Sequence, residues 1–148
     1  MTTDPKRQLL RHMVGTVWFR GSIALANAPA RFAEFRVTED TRSSAEILAH
    51  IGDLLVGSYR LMNGEFVEPV SKPLPWSEET SRFAAAVKDL DVFLASDTPL
   101  AYPVEQFVQG PIGDALTHVG QIVMLRRIAG VPIQHVPYFS AEIVPGKF

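Results

Sequence analysis

The chain contains no cysteine. Disulfides, thiolate metal ligands and a cysteine nucleophile are therefore excluded, and any sulfur chemistry must borrow its thiol from a small molecule. Cationic residues are not in surplus either: 14 Lys plus Arg stand against 16 Asp plus Glu, for a formal net charge of -2. A phosphate backbone demands a basic surface, so nucleic acid is not an expected partner. No uncharged apolar run approaches the ~18 residues needed to span a bilayer, and no membrane association is expected. Lys6, Arg7 and the later Ala26-Asn27-Ala28-Pro29-Ala30 imitate a secretion signal, but Arg11 and Arg20 leave too short a hydrophobic centre. A cytoplasmic protein is expected. Internal repeats, a Gly-rich phosphate loop, a Gly-x-Ser-x-Gly elbow and a His-Glu-x-x-His motif are also missing, which removes several common enzyme classes.

What is present is enough for a core. With 148 residues, 47% hydrophobic and 20% charged, the expectation is one globular domain spanning residues 1–148. Thr3 or Asp4 can cap a first helix, with Pro5 in its first turn, where a missing N–H is harmless. Leu9, Met13, Val17 and Trp18 form its apolar stripe, which fades near Asn27 and ends by Pro29. His12, beside that stripe, reads as a partly exposed or hydrogen-bonded helix histidine. Residues 29–42 read as a crossover pinned by Phe32 and Phe35.

Ser43 and Glu46 make a capping box, the reciprocal arrangement in which hydroxyl and carboxylate each accept a backbone N–H at a helix start. The second helix carries Ile47, Ile51, Leu54, Leu55, Ser58 and Leu61 or Met62, and stops at Asn63-Gly64. Pro69, Pro73 and Pro75 break the next connection. Ser77 is expected to cap a third helix, with Glu78 and Glu79 favoured by its dipole, Trp76 as a hydrophobic staple, and Phe83, Val87, Leu90 and Leu94 inward. Asp97-Thr98-Pro99 stops it, and one short helical turn fits Val104–Val108. Pro111 can open a fourth helix with Leu116, Val119, Ile122, Val123 and Ile128 on its apolar side. Arg126 and Arg127 complement its C-terminal dipole, and Gly130 then Pro132 end it. Residues 131–148 lack a helical period and are expected to wrap the surface.

Four amphipathic helices with long and short connections predict an all-α four-helix bundle, whose interior commonly hosts ligands from facing helices. The fourth helix places polar side chains within its apolar run. Asp114 and His118, four residues apart, lie within about 40° and about 6 Å of each other on a helix. His50 lies in the second helix's apolar stripe and can converge with them. Gln121 follows on the same stripe as His118. Asp53, three residues beyond His50, can bond a ligand from behind, meet Arg60 or face water. Carboxylate and imidazole suit zinc, nickel, iron or manganese, and three protein ligands leave positions open for water or substrate. The other reading of the same residues is a buried polar network in which Asp114 or Gln121 holds a neutral histidine.

The order of motifs is informative as a whole. Ser43-x-x-Glu46-Ile47-Leu48-x-His50 opens one helix, and His118-Val119-Gly120-Gln121 with Leu125-Arg126-Arg127-x-Ala129-Gly130 closes another. Together, from the first helix to Pro132, they resemble the DinB-like superfamily. The resemblance implies a four-helix bundle, often a homodimer, with a divalent metal held by His50 on the second helix and by Asp114 and His118 on the last. Gln121 and Asp53 would then support the ligands. The family's usual pair is His-x-x-x-His, so Asp114 is a departure, although a carboxylate occurs there in the resembling mycothiol-dependent isomerases. The implied activities are transfer or isomerisation with a low-molecular-weight thiol and metal-dependent hydrolysis of a small-molecule substrate. Zinc or nickel is expected first, iron or manganese next. The alternative is a non-catalytic dimeric or stress-related bundle that has lost the metal and binds a small ligand. A third reading has the aromatic tail, Tyr138 to Phe148, lock a dimer.

Overall fold

A computed structural model of the chain describes residues 3–66 and 72–148; Pro69 lies outside the described residues. Four long helices pack against one another, with no strand among the described residues: α1 (Pro5–Leu25), α2 (Ser44–Met62), α3 (Trp76–Ala95) and, after the short α4 (Val104–Phe107), α5 (Gly113–Ile128). Both α1 and α2 pack on α3 and on α5, so α1 faces α2, and α3 faces α5, across the diagonals. The two connections that must cross a diagonal are residues 26–43 and residues 96–112. This arrangement makes α2 and α5, the helices carrying the candidate ligands, direct neighbours.

Local signals account for most boundaries. The Asp4 side chain accepts the Lys6 N–H at 2.9 Å and caps α1, with Pro5 at its start. Ser43 and Glu46 form both halves of the capping box, at 3.2 Å and 2.6 Å. Ser43→Ala is expected to destabilise the fold by about 1 kcal/mol, the usual worth of an N-cap hydroxyl; urea unfolding with an unchanged slope would measure it. Gly64 stops α2 in the left-handed region, φ 77°, where a side chain would be strained.

Three expectations about faces and caps need correction. Leu9 is 61% exposed, and the buried side of α1 is the adjacent stripe of Leu10, Val14, Val17 and Ala24. Leu9/Leu10 and Met13/Val14 offer two apolar stripes side by side. The second wins because it includes Gly21, whose missing side chain lets the Phe83 ring lie against α1. On α5, Ile128 is likewise exposed, and Leu125 with Ala115 lies inward. The cap of α3 is Pro75, not Ser77, and no side chain caps it directly. Instead the buried Glu79 carboxylate reaches back to accept the Leu74 N–H at 3.1 Å. Trp76 meets Phe32 edge-on at 5.6 Å and Phe32 stacks on Phe35 at 6.4 Å, which ties the first crossover to the start of α3.

Arginines join the helix ends. Arg7, on α1, is 5% exposed and donates to the carbonyls of Phe93, Leu94 and Thr98, satisfying the open end of α3. Arg126, on α5, is equally buried and donates to Ala24 O at 3.0 Å and Ala26 O at 2.7 Å, closing the end of α1, and to Val131 O at 2.8 Å. It therefore serves another helix's terminus as well as its own. The tail, expected to wrap the surface, lies along α1: Phe148 meets Trp18 and Tyr138 meets Phe19, both edge-on, within the same chain.

Candidate metal centre

The site forms where α2 and α5 lie side by side. His50 comes from the middle of α2, and Asp114 and His118 from successive turns at the start of α5. One ligand atom from each lies within 4.8 Å of the other two. His118 Nε2 stands 3.3 Å from one Asp114 carboxylate oxygen, and His50 Nε2 stands 3.7 Å from the other. The two imidazole rings meet at 4.6 Å, nearly perpendicular. For ligand bonds of 2.0–2.2 Å, tetrahedral geometry puts neighbouring donor atoms about 3.4 Å apart. The 3.3 and 3.7 Å separations to Asp114 are close to that and all three donor atoms lie within 4.8 Å, so the donor set can close on a divalent ion.

The shorter reach of aspartate is met by placement. Asp114 sits one helical turn before His118 and side chains lean toward the helix N-terminus, so the His118 ring comes down onto the carboxylate. That carboxylate is 47% exposed, so the site opens to solvent on its side.

Gln121 fixes the other side of His118. His118 Nδ1 and Gln121 Oε1 are 2.8 Å apart. An amide oxygen only accepts, so Nδ1 supplies the proton and Nε2 presents its lone pair to the site. In that tautomer His118 has no Nε2 proton for Asp114, and the 3.7 Å from Asp114 to His50 exceeds hydrogen-bond length. Replacing Gln121 with leucine is expected to weaken divalent-ion affinity about 10–100-fold, the usual effect of losing the partner behind a histidine ligand; competition with a chelating indicator dye would measure it. Burial, the Arg42 charge and the neighbouring His118 push the His50 pKa down from its ordinary value, against the opposing pull of Asp114. Neutral imidazole is the form that binds metals.

Asp53 belongs to a different set of contacts. It is 8% exposed and paired with Arg82 on α3, neither with Arg60 nor facing water. Arg82 also donates to Glu79 at 3.3 Å and to Ala49 O at 3.2 Å, lying across Gly52 where a side chain would block it. Asp53 still lines the same cleft as His50, from deeper along α2.

The turn before Asp114 is the part that sequence reasoning missed. Pro111 follows the kink at Gly110 directly, at the start of the helical stretch that runs into α5, as expected. Val108–Ile112 forms a wider π turn that joins α4 to α5, with a non-helical kink at Gly110. A side chain on Gly113 would come within 2.8 Å of Val108 O, so glycine is what lets the widened turn close beside Asp114. Such turns occur often at functional sites. The spacing Gly110-Pro111-x-Gly113 was the available signal.

A cleft of about 920 Å³ opens directly on His50 and Asp114, walled by Leu54, Leu61, Phe66 and Pro111. A second, of about 590 Å³, reaches His118 and Gln121 from the other side, next to Arg42. No helix among the described residues is long and apolar enough to cross a membrane. In comparisons with known proteins, no family model, no curated protein and no solved structure matches the chain.

Proposed function

We propose that the chain is a divalent-metal-dependent enzyme of the DinB-like type, with His50, Asp114 and His118 as ligands and Gln121 orienting His118. Zinc or nickel suits two imidazoles and a carboxylate best, with iron and manganese also compatible. The observation that carries the proposal is the convergence of the three donor atoms within 4.8 Å, with the His118 Nδ1 proton already engaged. An ion bound there would lower the pKa of a coordinated water or low-molecular-weight thiol and so supply a nucleophile near neutral pH. The chain's own contribution is to lower the His50 pKa, to aim the His118 Nε2 at the site through Gln121, to leave Asp114 at the open edge, and to offer the apolar wall of Leu54, Leu61 and Phe66 to the body of a small-molecule substrate. A cysteine-free chain of this design performs sulfur chemistry only with a thiol brought from outside.

The test is a turnover screen of metal-loaded protein against thiol-acceptor electrophiles and against esters and amides, with Asp114→Ala as control. Turnover lost in the variant supports the proposal. Equal turnover in both places the chemistry elsewhere. The second reading, a bundle that binds a small ligand without metal, draws on Asp114 standing where the resembling family usually has histidine. It requires that a chelator leave both melting temperature and ligand binding unchanged, whereas a bound ion stabilises by linkage.

A further inference from the structure

Five of the ten arginines are held by carbonyls or carboxylates, and of the other five (Arg20, Arg31, Arg42, Arg60 and Arg127) two share one cleft. Arg7 and Arg126 cap helix ends, Arg11 pairs with Asp91, Arg36 with Glu46, and Arg82 with Asp53 and Glu79. Arg20 and Arg127 do none of this. Arg20 lays its guanidinium over the Tyr138 ring, 4.1 Å from the centroid, and the exposed Arg127 has no hydrogen bond or ion pair among the described residues. Both line one cleft of about 360 Å³, formed where the tail passes over α1 and α5, and His135 from the tail lines it too. Among the described residues no aspartate or glutamate lines that cleft, although the chain as a whole is acidic. Its walls include Val123 and Ile133.

A guanidinium is a planar fork of N–H donors that matches carboxylate and phosphate oxygens, and stacking on an aromatic face reduces the ordering that binding requires. Two such forks with an imidazole, around apolar walls and without a counter-charge, describe a site for an anionic head on an apolar body. We propose that this cleft, separate from the metal centre, binds a small organic anion, a carboxylate or phosphate monoester. Arg20 and Arg127 hold the head, and Val123 and Ile133 take the body. The volume suits a body no larger than a single ring or short chain. The site is built jointly by the tail and the bundle, so occupancy would also fix the tail on α1.

The test is a methyl-resolved NMR titration of the wild-type protein kept in chelator, so that no metal can hold the anion. Phenyl phosphate and benzoate are the probes, and benzyl alcohol is the neutral control. Saturable shifts at the Val123 and Ile133 methyls with either anion, and none with benzyl alcohol, are expected. The head group giving the tighter curve identifies the ligand class. Arg127→Gln should weaken the binding at least tenfold without moving the melting temperature, because the side chain is exposed and unpaired. No saturable shift at millimolar anion would overturn the proposal, as would equal shifts from benzyl alcohol or affinity unchanged in Arg127→Gln.

Discussion

His118→Ala is expected to lower divalent-ion affinity by more than about 100-fold, beyond what loss of an outer hydrogen-bonded partner alone produces. His118 is the most buried of the three candidate ligands and the only one seen to have its second nitrogen engaged within the site, by Gln121. Its removal leaves His50 and Asp114 on different helices with no shared anchor. The apparent affinity, measured by competition with a chelating dye, should collapse while the helical circular dichroism stays. Folding should survive, because the ring lies at the edge of the core rather than among Leu48, Leu55 and Ile122. A histidine that only filled a polar network would give no metal phenotype, and its loss would show as a stability change of about 1 kcal/mol.

Arg7→Ala is the substitution expected to damage the fold most. The side chain bridges α1 to the last turn of α3, and truncation strands the buried Leu94 carbonyl and takes the guanidinium from Thr98 O and Phe93 O, the last of which Ser96 still serves. It also removes the guanidinium stacked over Phe93 at 5.3 Å. An unsatisfied buried acceptor costs about 1–3 kcal/mol, so roughly 3 kcal/mol is expected for the set. In a chain of this size that lowers the melting temperature by roughly 6–12 °C. Leu9→Ala, two residues away on the exposed side, should change stability by less than about 0.5 kcal/mol. The contrast between the two, followed by thermal melting, tests which face of α1 is inward.

How far these features can be read from the sequence depends on the range of the interaction. Ser43 with Glu46, Asp4 with Pro5, and Asn63-Gly64 act within a few residues, and the caps and stops they predict are present. The convergence of His50 with Asp114 and His118 is long-range, yet it follows from helical period once the bundle is assumed, because α2 and α5 are neighbours. What escapes is whatever has no local signature. Arg126 reads as a dipole partner for its own helix, and only the tertiary fold brings Ala24 and Ala26 to it. Asp53 finds Arg82 on another helix rather than Arg60 on its own. The α1 face is ambiguous by one residue because the apolar positions are paired. The α3 cap moves from Ser77 because Pro75 offers no N–H and Glu79 can reach Leu74 instead. Pro111 reads as a helix opener, and what the sequence reading does not show is the kink at Gly110 just before it.

The most direct test of the central claim is a calorimetric titration of metal-stripped protein with zinc and with nickel, paired with melting curves. One ion per chain is expected. At free ion 100 times the dissociation constant, linkage adds about 2.7 kcal/mol of stability and so raises the melting temperature by roughly 5–11 °C. Both effects should vanish in His118→Ala. No saturable binding, or the same stoichiometry and affinity in His118→Ala as in the unaltered chain, would contradict a metal centre built from His50, Asp114 and His118.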